Sequence, residues 1–276
     1  MPLNVRALLE GAVKNNASDV HVMEDVQPYF RIRGDLKRVE TSPITADDMR
    51  QLLHEVMPEH LKGELEAQFG VDFSYEIPQV ARFRCCVYYQ TGRLCSTFRS
   101  IPLKIPTLED LKMDRVCSQI AENQRGMVLV TGITGSGKST TLAAMINHIN
   151  TTDAQRIITI EDPIEFRYTN IKSVISQREV GTDVGSFADA LRSALRADPD
   201  TILVGEMRDV ETIRIAIKAT ETGHLVFSTL HTRGAVHTIQ RILGNFEQTE
   251  HDMLRDQLAL NILASMTQRL VKTHDG

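Results

Sequence analysis

The segment Gly132-Ile133-Thr134-Gly135-Ser136-Gly137-Lys138-Ser139 constrains this chain more than any other, because it fits the phosphate-binding loop pattern G-x-x-x-x-G-K-[ST] at every fixed position. A short apolar run from Met127 precedes it, and a helix-forming stretch from Ser139 to Ile149 follows. In that context successive backbone N–H groups turn inward on phosphate, and the start of the helix adds a favourable dipole. Lys138 is predicted to neutralise the β and γ phosphates, and the Ser139 hydroxyl to ligate Mg²⁺. The nucleotide-binding set is Thr134, Gly135, Ser136, Gly137, Lys138, Ser139 and Thr140, with ATP and Mg²⁺ as the implied cofactors. The alternative is a chance glycine-rich turn, which would not bring both flanking elements with it.

Around this loop the pattern alternates strand and helix. Met127 to Thr131, Arg156 to Glu161, Thr201 to Val204 and Leu225 to Thr229 are short apolar runs suited to parallel strands buried on both faces. Helices are predicted at Ser139 to Ile149, Phe187 to Arg196 and Val210 to Glu221, with Ser186 and Asp209 as caps and Gly223 as a stop. This half is α/β.

Three further segments put reactive side chains at strand ends, where ligands sit in parallel α/β sheets. Glu161-Asp162-Pro163-Ile164-Glu165 closes one strand with three carboxylates, which either face the γ-phosphate or lie in a solvated loop. Thr201-Ile202-Leu203-Val204-Gly205-Glu206 has the layout of a Walker B strand, with Glu206 where Asp is common. A carboxylate there holds Mg²⁺ or its water shell and orients the attacking water; the bland alternative is a helix cap, which suits Asp209 better. His224 and His231 bracket the last strand. At about 3.3 Å per residue they stand roughly 20 Å apart and share no metal on an unbroken strand. His231, at the strand end beside the loop, is a candidate γ-phosphate sensor, and His224 a second candidate.

The first hundred residues read differently. Residues 3 to 16 have helical spacing, Ala17 to Val22 alternates, and residues 29 to 33 and 36 to 39 flank Gly34-Asp35 as a hairpin. A helix is expected from Ala46 to Met57 with Thr45 as its N-cap. Ala81 to Gln90 and Arg93 to Arg99 form strands around Thr91-Gly92. Period two places Phe83, Cys85, Val87 and Tyr89 on one face with Leu94 and Phe98, and Arg82, Arg84, Arg93 and Arg99 on the other. With the loop centred there, Arg84 lies directly across from Arg99, and like charges so placed are destabilising. Either both splay into water, which hairpin geometry alone favours, or they share an anion. Pro102 and Pro106 punctuate residues 100 to 107, the best linker.

Composition narrows the class. A net charge of -5 with no run of Lys or Arg gives no footprint for nucleic acid. No apolar stretch approaches the roughly 20 residues that span a bilayer, and no signal peptide is visible, so a cytoplasmic location with at most peripheral membrane contact is expected. Cys85, Cys86, Cys95 and Cys117 have no metal-site spacing and read as reduced thiols.

Taken together, Ala17-Ser18-Asp19-Val20-His21, the loop, Glu161 to Glu165, Leu203 to Asp209 and Thr222 to Thr232 resemble the type II/IV secretion-superfamily ATPases, particularly those that retract type IV pili. The resemblance covers almost the whole chain. It implies a small α+β PAS-like domain over 1–100, a linker over 101–107 and a RecA-like ATPase domain over 108–276, assembled as a homohexamer with ATP bound between the two domains. It makes Glu165 the water-activating glutamate, Glu206 the Walker B glutamate and His224 with His231 the His box. It also assigns Arg84 and Arg99 as arginine fingers, reversing the preference drawn from the hairpin alone. An inner-membrane pilus platform protein is the implied partner.

Extension and secretion ATPases of this superfamily usually carry an added N-terminal domain and a tetracysteine zinc segment after the region that here reads Gln268 to Lys272. This chain has no cysteine beyond Cys117, which favours retraction over that alternative. It stops at Gly276, ahead of the C-terminal helices retraction ATPases normally carry, so a truncated or short form is expected. A nucleic-acid translocase would need a basic channel, a non-hydrolysing sensor would lose Glu165 or Glu206, and a metabolic kinase would need an acceptor pocket, of which there is no sign.

Overall fold

A computed structural model describes residues 4–101 and 103–271, so Pro102 of the expected linker and Lys272 lie outside the described residues. The chain divides into two compact units, Met1–Lys104 and Ile105–Gly276.

The first unit begins with α1 (Val5–Lys14), capped by the Asn4 side chain, and continues through β1 (Asp19–Met23), β2 (Tyr29–Ile32) and β3 (Asp35–Arg38). Next comes α2 (Ala46–Val56), where Thr45 and Asp48 form a reciprocal capping box. Then follow α3 (Lys62–Gln68), β4 (Gly70–Ile77), β5 (Ala81–Gln90) and β6 (Arg93–Ile101). Among the described residues the strands form one sheet in the order β3-β2-β1-β6-β5-β4, paired antiparallel throughout. Val5, Leu8, Leu9 and Ala12 of α1, and Met49, Leu52 and Leu53 of α2, join Val20, Phe83, Cys85 and Phe98 in its core. Alternation therefore sends one face of β1, β5 and β6 into that core and leaves the other to the arginines, while β3 is exposed throughout.

The turn at Thr91-Gly92 gives the register expected from the sequence, with Arg84 opposite Arg99. The strand continues past Arg99, however. Ser100 donates its N–H to the Ser18 carbonyl, and Ile101 is buried opposite Arg82, so these two residues belong to the sheet rather than to a connecting segment.

The second unit runs α4 (Asp114–Ala121), β7 (Gly126–Thr131), α5 (Lys138–Thr152), β8 (Arg156–Glu161), β9 (Val174–Glu179), α6 (Phe187–Ala194), β10 (Thr201–Val204), α7 (Val210–Glu221), β11 (Leu225–Leu230), α8 (Ala235–Leu243), α9 (His251–Asn261) and β12 (Ile262–Thr267). Its sheet has the order β12-β7-β11-β10-β8-β9, and the recorded pairings are parallel. Every residue of β7, β10 and β11 is buried, as expected for strands covered on both faces. Alternate residues of β7 supply two different cores. Met127 and Leu129 pack with α6, α7 and α9, while Val128 and Val130 pack with α4 and α5. The fold is α/β, and it places the loop at the end of β7, between β12 and β11 in the sheet.

Candidate active site

The loop from Gly132 to Gly137 leaves the carboxyl end of β7 and enters α5 at Lys138. Gly132 has φ +146°, and a Cβ there would stand 2.5 Å from both the Gln268 carbonyl oxygen and Ser136 Oγ, so no larger residue fits. Ser136 is buried, and its hydroxyl has no hydrogen-bond partner among the described residues. Thr134 and Gly135 are exposed at the loop tip, and Ser139 and Thr140 are half-buried on the first turn of α5. Lys138 Nζ donates to the carbonyls of Gly132 at 3.1 Å and Ile133 at 3.2 Å. Burial lowers its pKa, and the carboxylates of Glu206 and Glu165 push it back up. The fold thus brings Lys138, Glu206 and Glu165, which come from three separate sequence motifs, within electrostatic reach of one another.

Glu206 follows β10 after a single glycine. Backbone and side-chain hydrogen bonds hold this strand end: Gly205 N–H donates to Ile160 O at 2.7 Å, and Thr229 Oγ1 donates to Gly205 O at 2.7 Å. Glu206 Oε2 accepts from Arg208 Nε at 2.8 Å, and Oε1 lies 3.5 Å from His231 Nε2 just beyond β11. Arg208 Nη1 also approaches Asp162 Oδ2 at 3.9 Å. Arg208 is absent from the residues singled out in the sequence. Its position two residues after Glu206 was the available signal.

The three carboxylates after β8 have three different environments. Asp162 is exposed and Glu165 is half-buried. Glu161 accepts from Thr159 Oγ1 at 2.7 Å and Gln177 Nε2 at 3.2 Å. Burial pushes its pKa up to about 7, against the opposing pull of those two hydrogen bonds. Glu161 is therefore a half-buried group held by hydrogen bonds from β8 and β9, unlike the exposed Asp162.

His224 stands where the sequence places it, ahead of β11. It is at the opposite end of that strand from His231, and its Nδ1 is 2.9 Å from the Ala219 carbonyl and 3.2 Å from Thr222 Oγ1. The side chain closes the last turn of α7. The six-residue length of β11 keeps it from the residues gathered around Lys138.

In the first unit, Arg99 has a partner that hairpin geometry did not reveal. Its Nε donates to Asp19 Oδ1 at 2.9 Å, and Asp19, on the neighbouring strand, is buried. Arg84 makes no hydrogen bond or ion pair among the described residues.

Mg²⁺ takes oxygen ligands and is commonly held by one or two protein groups together with phosphates and water. The Ser139 hydroxyl and the Glu206 carboxylate fit that donor chemistry. Among the described residues no group of three His, Cys, Asp or Glu could hold a metal, so further ligands would come from nucleotide and water.

The family described as Type II/IV secretion system protein matches residues 97–275. A Neisseria gonorrhoeae protein named twitching motility protein is 51% identical over 250 residues, covering 90% of this chain and 67% of the relative. The type IV pilus retraction ATPase PilT of Pseudomonas aeruginosa is 44% identical over 274 residues, 99% of this chain and 80% of the relative. Among solved structures, the pilus retraction motor PilT with bound ADP superposes with a TM-score of 0.93 at 44% identity, over 99% of this chain and 80% of that one. The Legionella pneumophila ATPase DotB gives 0.86 at 31% identity, over 100% and 78%.

Proposed function

The chain belongs to the type II/IV secretion system protein family, and on that premise we propose that it is a motor that couples ATP hydrolysis to retraction of type IV pili. The observation that carries this reading is the convergence of Lys138, Glu206 and Glu165. A phosphate-binding loop alone would support only nucleotide binding, whereas two carboxylates beside its lysine supply what hydrolysis requires.

In this account the backbone N–H groups of the loop and Lys138 cradle the β and γ phosphates. Mg²⁺, when bound through Ser139 and Glu206, would neutralise charge on those phosphates. Glu165 takes a proton from the attacking water as its oxygen bonds to the γ-phosphorus. The bond between that phosphorus and the β–γ bridging oxygen breaks, releasing ADP and phosphate. Glu206 orients the water and is itself held by His231 and Arg208, and His231 reports the state of the γ-phosphate through that contact. Arg84 and Arg99 receive the γ-phosphate charge as arginine fingers. Loss of that charge on hydrolysis weakens their hold, which is how chemistry becomes rigid-body motion.

The antiparallel unit is read as a PAS-like domain that extends through Ile101 at the end of β6, with the linker confined to residues 102–107 and a RecA-like domain over 108–276. Six copies form a ring. It works at the inner face of the cytoplasmic membrane against an inner-membrane platform protein, and no helix among the described residues is long and apolar enough to cross the bilayer. Piliation and twitching in a host lacking the gene, complemented with wild type or Glu206→Gln, test the reading. Excess pili without motility, rescued by wild type alone, are expected, and bald cells would instead identify an assembly motor.

A further inference from the structure

A row of five side chains crosses the first unit's sheet on the face opposite Phe83, Cys85 and Phe98. Arg31 on β2, Asp19 on β1, Arg99 on β6, Arg84 on β5 and Ser74 on β4 are successive cross-strand partners. Asp19 is the one acid among the five, and it is 5% exposed. A buried carboxylate is costly unless paired and hydrogen-bonded, and both its oxygens are engaged. Oδ1 accepts from Arg99 Nε at 2.9 Å, and Oδ2 accepts from Ser18 Oγ at 2.8 Å with Arg31 Nε at 3.9 Å. Arg99 itself remains 58% exposed at its side chain.

The bond to Asp19 uses the inner nitrogen of the guanidinium. The terminal N–H groups, which make the bidentate fork that matches a phosphate, make no hydrogen bond among the described residues. The carboxylate also offsets the repulsion between Arg99 and the unpaired Arg84 directly opposite. We propose that Asp19 is a positioning residue that anchors Arg99 by Nε and orders its fork, beside Arg84, before a nucleotide phosphate arrives. Ordering the side chain in advance removes an entropy loss that binding would otherwise carry. The proposal rests on the reading of Arg84 and Arg99 as the pair that receives phosphate.

The test is steady-state ATP turnover of the assembled full chain for wild type, Asp19→Asn, Arg99→Ala, the double variant and Arg99→Lys, with melting temperature and oligomeric state measured alongside. Removing a transition-state donor costs about 10²-fold or more, so Arg99→Ala is expected to lose about that much in kcat and Asp19→Asn about tenfold. The double variant should be no slower than Arg99→Ala alone, since Asp19 then has nothing to position. A full further tenfold loss in the Arg99→Ala background would overturn the proposal, as would Asp19→Asn with normal turnover beside an impaired Arg99→Ala. Normal turnover in Arg99→Ala would instead remove the phosphate-receiving reading itself. Arg99→Lys carries the question independently of any folding defect in Asp19→Asn. A lysine cannot hold Asp19 and present a fork at once, so it should fall as far as alanine, and turnover near wild type would contradict the role given to Asp19.

Discussion

Glu206 Oε1 lies 3.5 Å from His231 Nε2, which joins the end of β10 to the end of β11 beside the phosphate-binding loop. The contact holds one oxygen of the carboxylate while Arg208 holds the other at 2.8 Å. A carboxylate fixed from both sides has little freedom to turn away from the water it orients, so the histidine acts through Glu206.

His231→Ala removes one of these two restraints and leaves the loop intact. The expected result is a kcat lower by about tenfold or more, equivalent to about 1.4 kcal/mol of transition-state stabilisation, with ATP affinity nearly unchanged. Turnover and nucleotide binding measured on the same preparation separate these outcomes. A loss of affinity with kcat intact would place the histidine in binding.

Glu161 makes stability depend on pH in a defined direction. Its folded pKa, about 7, stands above the ordinary value of 4.5, so the native state binds more protons than the unfolded chain between those values. Stability therefore declines as pH rises from about 4.5 through about 7, by on the order of 3 kcal/mol in total. Glu161→Gln keeps an acceptor for Thr159 and Gln177 without the charge. Its melting temperature should exceed that of wild type by a margin that grows from pH 5 to pH 8, and a margin independent of pH would contradict the account.

Gly132→Ala tests the tightness of the loop. The added methyl would meet backbone and side-chain atoms at 2.5 Å, and the φ of +146° is one that L side chains rarely adopt. Strain of this kind costs about 1–3 kcal/mol or displaces the loop. Urea unfolding and nucleotide titration should both show a defect, whereas Gly135→Ala, whose Cβ would meet nothing within 4 Å, should lose less.

How much of this was legible beforehand depended on whether a feature is local. The phosphate loop, the buried parallel strands and the Arg84–Arg99 register follow from spacing within one or two adjacent segments, and the structure agrees with each. β9 gave no signal, because Val174–Glu179 carries polar residues and has no fully buried position. The partner of Arg99 lies 80 residues earlier on β1, and only the strand order brings Asp19 beside it. The separation of His224 from His231 was legible, because both flank one strand, whereas the contact of His224 with the end of α7 was not. The second hydrogen bond to Glu161 comes from Gln177 on β9, the strand that no apolar run announced.

The most direct test of the central claim is ATP turnover by the assembled protein carrying Glu206→Gln, with nucleotide affinity measured on the same sample. The substitution keeps the size of the side chain and removes its charge. The account predicts turnover reduced by about 10²-fold or more with ATP still bound. Hydrolysis at the wild-type rate would contradict it, leaving the loop around Lys138 as a site for nucleotide without the carboxylate chemistry assigned beside it.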